Sequence, residues 1–262
     1  MSKTSLGNLQ KSVDDFRING FTVLRSFLKK NEIKIAKKDV KKMFSILKKK
    51  NFGPPFVFFT EDLKVDAAHK LGKIFPNTPL LKFAEKKVIK DFYKNLFKDN
   101  SVLENLQIFA KPKKSGDETP FHQDNWYWNA KDKSRINVWI ALDRVTKRNG
   151  GVIYYKGSHK YKGPDKYGLI KHVFPKRYAG FLKGIPDAAL NKLKHTKYTA
   201  NLYPGDCIIH TGEVVHGAKK NKSNINRTGV VLSIAGKKTK YDKNKANIYK
   251  QELANQVLSS YD

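Results

Sequence analysis

The chain has 262 residues, 39% of them hydrophobic and 12% aromatic, and 53 Lys and Arg against 23 Asp and Glu give it a formal charge of +30. This length and apolar content suit one generous domain with a sizeable core and exclude a disordered composition. The single cysteine, Cys207, excludes an intramolecular disulfide. No apolar stretch reaches the length of a membrane span, and the first residues lack the apolar region of a secretory signal. A soluble protein of the reducing cytoplasm is therefore expected.

The charge suits a nucleic acid, an anionic membrane or an acidic substrate. Its basic residues run along the whole chain, as at Lys29-Lys30, Lys48-Lys49-Lys50 and Lys237-Lys238, and most are Lys rather than Arg. Arg is the better fork for phosphate. A solvated lysine-rich surface is the simpler account, and a polyanion partner stays open beside it.

Residues 8–19 have the spacing of a helix, with Leu9, Val13 and Phe16 on one face and Asn19-Gly20 as a stop. Residues 21–27 alternate like a strand. Asn31 is a candidate cap for a second helix bearing Ile33, Ile35, Val40, Met43, Phe44 and Leu47. Gly53-Pro54-Pro55 forces irregular chain before a short strand at 56–59. Residues 76–99 look mainly helical, with Leu80, Phe83, Val88, Ile89, Phe92 and Phe97.

From about 102 the pattern becomes strands broken by turns, at 103–112, 120–128 and 136–143. In the last of these, Ile136, Val138, Ile140 and Leu142 share one face, and Asn137, Trp139, Ala141 and Asp143 the other. Asn149-Gly150-Gly151 is a turn before the strand 152–155. A mixed insertion at 160–195, with His172, is a candidate lid. Strands follow at 199–210 and 227–236, and a helix from about 243. Helices followed by many short strands predict an α+β chain with a mainly β core, a sandwich or barrel. One domain is expected over 1–262, helical to about 100, β over 101–240, and ending in a helix or tail.

The sharpest motif is His122-Gln123-Asp124. On a strand, residues two apart face the same way, so an imidazole and a carboxylate reach one point. A second histidine from a distant strand would complete two His and one carboxylate, which occupy one face of an octahedron and leave three positions open. His216 is that candidate. Arg227 follows eleven residues later, and a hairpin of that length returns it to the metal, where its guanidinium can clamp a carboxylate through two parallel hydrogen bonds. His210 is a rival ligand, better explained as a hydrogen-bonded histidine near the site. Cys207 has no partner at thiolate spacing and is expected in the core.

These segments resemble the phytanoyl-CoA dioxygenase family of iron(II)/2-oxoglutarate oxygenases. The likeness is carried in family order by residues 19–28, by Gln107 within 106–112, by 121–128, 138–160 and 204–206, and by 216–227. It implies a double-stranded β-helix (jelly roll) core with N-terminal and flanking helices. It also implies His122, Asp124 and His216 as iron ligands, Arg227 on the distal carboxylate of 2-oxoglutarate, and Gln107 and Trp139 lining the cosubstrate pocket. With Fe(II), 2-oxoglutarate and O₂, the implied activity is hydroxylation of a small molecule, possible anions included, with release of succinate and CO₂. The intact Asp124 favours hydroxylation over halogenation. Two positions depart from the family pattern. Ala218 stands where a hydroxyl residue is frequent, and Lys156 where a Pro is. Asn125, Tyr127 and Trp128 are candidates for the substrate side. The competing readings are a basic nucleic-acid-binding protein and a metal-binding jelly roll without catalysis.

Overall fold

The computed structural model describes residues 3–53, 56–165, 168–173 and 183–258. Helices prevail up to residue 97 and strands after it. The first helix, Lys3–Asn19, starts ahead of its apolar pattern and ends at Gly20, whose φ of +82° is open to glycine. Strand β1 (Phe21–Leu24) stops short of residue 27. The chain turns away there because Asp206 accepts from Ser26 N at 2.9 Å and Arg25 Nη1 at 2.7 Å.

The second helix, Lys30–Lys49, starts one residue before the expected cap Asn31. Glu32 caps it instead, accepting from Lys29 N at 2.8 Å. Ala36, Val40, Met43 and Leu47 form its buried stripe, and truncating Leu47 to Ala would cost about 2–5 kcal/mol. Ile35 lies off that stripe and is exposed. Strands β2 (Val57–Phe59) and β3 (Val65–Ala68) pair next. The run expected to be helical over 76–99 divides into a 3₁₀ turn, Pro79–Glu85, and a helix, Lys87–Phe97. Thr78 caps the turn by accepting from Leu80 N.

The remaining strands are β4 (Ser101–Phe109), β5 (Thr119–His122), β6 (Ile136–Ala141), β7 (Ile153–Tyr155), β8 (Lys197–Thr199), β9 (Cys207–Thr211), β10 (His216–Ala218) and β11 (Gly229–Gly236). A final helix spans Lys243–Leu258. Two antiparallel sheets result, one in the order β1-β9-β6-β11-β4-β3-β2 and one in the order β5-β10-β7-β8. This is the jelly-roll core, a double-stranded β-helix with helices outside.

The predicted division of β6 holds. Ile136, Val138 and Ile140 join β11's Val230, Leu232 and Ile234 in the core beneath the helices. Trp139 and Ala141 face the space between the sheets with Tyr154, Ile208 and Val231. Strand β11 is buried along its whole length, so its sequence is nearly continuous in apolar residues rather than alternating. A third, smaller cluster, with Ile170, Ile185 and Val215, ties the insertion to the outside of the four-stranded sheet. The insertion is described only in part, so the lid expected over 160–195 lies partly outside the described residues. No helix among the described residues is long and apolar enough to cross a membrane.

Candidate metal centre

The two ligand-bearing segments meet across one ladder, in which His216 on β10 is the direct cross-strand partner of His122 at the end of β5. Their ring centroids are 4.3 Å apart. Asp124 does not arrive by strand alternation. Strand β5 ends at His122, and Asp124 starts the helical turn Asn125–Trp128. Its backbone carbonyl accepts from Tyr127 N and Trp128 N, and the turn swings its carboxylate back to the histidines. The ligand atoms offered by His122, Asp124 and His216 all lie within 4.8 Å of one another, and all three residues are buried.

Hydrogen bonds set the ring orientations. His122 Nδ1 donates to Pro120 O at 2.7 Å and His216 Nδ1 to Val214 O at 3.0 Å. Each Nε2 lone pair is thereby turned inward, the usual device for orienting a metal-ligating histidine. Nε2 of His122 is 3.3 Å from Asp124 Oδ1, and Nε2 of His216 is 3.7 Å from Asp124 Oδ2. Atoms on one face of an octahedron with bonds of about 2.1 Å lie about 3 Å apart, so the two contacts that include Asp124 are already near the spacing that one ion requires. Burial drives the His216 pKa well below its ordinary value, with the His122 ring beside it adding to the shift, which keeps the imidazole neutral. Burial works to raise the Asp124 pKa, but His216, His122 and His210 together hold it well below the usual carboxylate range.

His210 stands apart from the ligand set. Its Nε2 donates to Asp124 Oδ2 at 3.1 Å, and its Nδ1 accepts from the Tyr154 hydroxyl at 3.0 Å. Asn137 Nδ2 donates to the same carboxylate oxygen at 2.8 Å, and Ser233 donates to Asn137 Oδ1. Sequence reading expected His210 as a hydrogen-bonded histidine near the site, but did not find Tyr154, Asn137 or Ser233. The one clue was a polar Asn on the inward face of an apolar strand.

Arg227 sits at the other end of the same cavity, which Gln107, Trp139, Thr119 and Val231 also line. It is not carried back by a hairpin, because β10 and β11 belong to different sheets. The connection crosses between the sheets, and Arg227 N bonds Lys111 O just before β11 begins. The side chain is 1% exposed. Its Nη2 donates to Gly150 O at 2.9 Å, while Nε and Nη1 have no hydrogen-bond partner. Trp139 lies beneath the guanidinium, 5.3 Å from ring centroid to Cζ. Gly229 permits this, since a Cβ there would sit 2.1 Å from the indole. Burial lowers the Arg227 pKa to about 10, which leaves the group charged at neutral pH. Buried N–H groups without acceptors are costly, so this end of the cavity fits a carboxylate. Among the described residues lining the cavity, Arg227 is the one Lys or Arg, and the lysine-rich surface does not reach into it.

The three substrate-side candidates separate. Tyr127 packs on His122 at 5.7 Å between ring centroids, and its hydroxyl donates to Lys183 O. Asn125 is committed to the loop, exchanging hydrogen bonds with the backbone of Ala130. Trp128 stacks under Arg135 at 4.5 Å. None of the three is among the described residues that line the cavity, and of them Tyr127 alone packs on a triad ring, because the helical turn after Asp124 rotates Asn125 and Trp128 away.

A jelly roll that gathers two histidines and one carboxylate at one point, leaving one side open, has the architecture of the non-haem iron oxygenases. The phytanoyl-CoA dioxygenase (PhyH) family model matches residues 16–229, and the chain belongs to that family. It is 25% identical over 177 residues to phytanoyl-CoA dioxygenase 1 of Oryza sativa subsp. japonica, covering 64% of this chain and 55% of that protein. It is 30% identical over 116 residues to 1-deoxypentalenic acid 11-beta-hydroxylase of Streptomyces arenae, covering 44% and 39%. The chain thus spans about half the length of these curated relatives or less. The crystal structure of EctD from S. alaskensis with 2-oxoglutarate and 5-hydroxyectoine superimposes with a TM-score of 0.70 at 17% identity, over 88% of this chain and 77% of that one. That likeness is one of fold.

Proposed function

We propose that this chain is an iron(II)- and 2-oxoglutarate-dependent oxygenase that hydroxylates a small molecule, with His122, Asp124 and His216 holding the metal. The observation that carries this reading is Arg227, a fully buried guanidinium with unpartnered N–H groups in the cavity of the triad. A metal-binding jelly roll without a cosubstrate has no use for that group. Bound iron with 2-oxoglutarate and O₂ supplies the oxidising chemistry, with succinate and CO₂ as products.

The chain's own residues do the rest. His122 and His216 offer neutral Nε2 atoms, and Asp124 offers a carboxylate aligned by Asn137 and His210. Arg227 takes the far carboxylate of the cosubstrate, stacked on Trp139, with Gln107 on the cavity wall. Thr119, the cross-strand partner of Ala218, lines the cavity and can present a hydroxyl where Ala218 has none. Tyr127, packed on His122, is the remaining candidate for the substrate side. A small substrate suits a cavity enclosed between two sheets, and its anionic character is left to residues other than the lining set. The buried, unpaired Cys207 supports a reducing, cytoplasmic setting.

Anaerobic addition of iron(II) and 2-oxoglutarate should produce the visible metal-to-ligand charge-transfer band, and a metabolite library should then contain compounds that accelerate succinate release. A protein that binds iron(II) but gives no band with 2-oxoglutarate would refute the oxygenase reading.

A further inference from the structure

The residue between the two adjacent ligands is held from three sides. Gln123 N donates to His172 Nε2 at 2.9 Å. The Gln123 side chain accepts from Ile170 N at 2.8 Å and donates to Glu213 O at 2.7 Å. His172 is in turn fixed, donating from Nδ1 to Ile170 O at 2.7 Å and stacking on Trp126 with 4.6 Å between centroids and 17° between planes. Gln123 and His172 are both almost fully buried, at 1% and 2% exposure. One side chain therefore joins the segment carrying His122 and Asp124, the turn leading into His216, and the insertion.

We propose that Gln123 and His172 are positioning residues that form a clamp, setting the spacing of the metal ligands and making residues 170–172 part of the metal centre. The idea rests on the ligand assignment above. Neither residue touches the ion. The clamp acts through geometry, because Asp124 leaves the strand and its approach depends on the path of the backbone at Gln123. His172 suits the task, since one neutral ring both accepts from Gln123 N and donates to Ile170 O. Burial pushes its pKa down to about 3, so the ring stays neutral at any working pH.

The test is a Co(II) titration of the full chain, whose visible absorption reports coordination without needing 2-oxoglutarate, together with the melting temperature of the metal-free protein. His172→Phe keeps the stack on Trp126 and removes both hydrogen bonds. His172→Gln keeps an acceptor near Nε2. His172→Phe should weaken Co(II) binding by about 10- to 100-fold, the range for supporting groups around a metal, and His172→Gln should recover most of it. Gln123→Met, which deletes the side-chain bonds and spares the backbone one, should fall in the same range and serves if His172→Phe does not fold. Wild-type Co(II) affinity in folded His172→Phe or Gln123→Met would overturn the clamp. So would His172→Gln binding as poorly as His172→Phe, since that would make the ring itself the structural need. Failure of the wild type to bind Co(II) would instead refute the ligand assignment.

Discussion

The two ends of the cavity are built by different means. At the metal end, His122 and His216 stand on strands of four and three residues, β5 and β10, in the smaller sheet, and Asp124 has already left its strand. Bonds to backbone carbonyls orient the two rings there, and Asn137 and His210, side chains of the larger sheet, align the carboxylate. At the carboxylate end, Arg227 and Trp139 lean on β6 and β11, two long strands buried in the middle of the larger sheet. The rigid sheet itself supplies precision at that end. Metal binding and cosubstrate binding should therefore fail separately when each end is damaged.

The sharpest break is His122→Ala. Loss of a ligand should exceed the roughly 10- to 100-fold cost of losing a supporting group, with no charge-transfer band at any 2-oxoglutarate concentration. A band that persists would remove His122 from the ligand set. Next is Arg227→Ala, expected to weaken 2-oxoglutarate about 100-fold or more, in line with losing one partner of a buried charge pair, while Co(II) affinity stays within about threefold. Arg227→Lys should recover only part, lacking the two-pronged geometry. Equal losses at both ends would contradict their independence.

Gly229→Ala should be milder. The added Cβ meets the Trp139 indole at 2.1 and 2.4 Å, and such overpacking costs about 1–3 kcal/mol. Thermal melting should shift down by several degrees, and 2-oxoglutarate affinity should fall less than in Arg227→Ala. The smallest effect concerns Glu213, in the turn before β10, whose carboxyl is pushed up to about 7 by burial from an ordinary 4.5. The fold favours its protonated form, so that contribution to stability is complete below about pH 4.5 and is lost as pH rises through 7. Glu213→Gln should flatten the fall in stability between pH 5 and 8 and raise stability at pH 8 by on the order of 1 kcal/mol. An unchanged pH profile would mean that the carboxylate is solvated.

The larger sheet was the more legible in sequence because its physics is periodic. The alternation over 136–143 placed Ile140 and Trp139 on their proper faces, and the helix bearing Val40 and Leu47 followed from its stripe. Strand β3 escaped notice because Val65–Ala68 is short and carries Asp66 among small residues. The metal motif was found through residue type and spacing, although the strand geometry offered to explain it does not hold at Asp124. Arg227 shares the cavity of the triad but reaches it by another connection than expected, since spacing gives reach and not the sheet to which a strand belongs. Asn137, Tyr154 and the Gln123–His172 pair stayed hidden because their partners lie far away in the chain, as Tyr154 and His210 do.

Cys207 lies wholly buried in β9, between β1 and β6, and burial pushes its thiol well above the ordinary range. It is the chain's only sulfhydryl. Its side chain lies in the core beneath the helices, so an alkylating reagent can reach it only when the helices lift from the larger sheet or the edge strand β1 opens, and labelling kinetics time that opening of the scaffold. Ligands that slow alkylation will be those that hold the larger sheet and its helices together, a screen that needs no knowledge of the product formed.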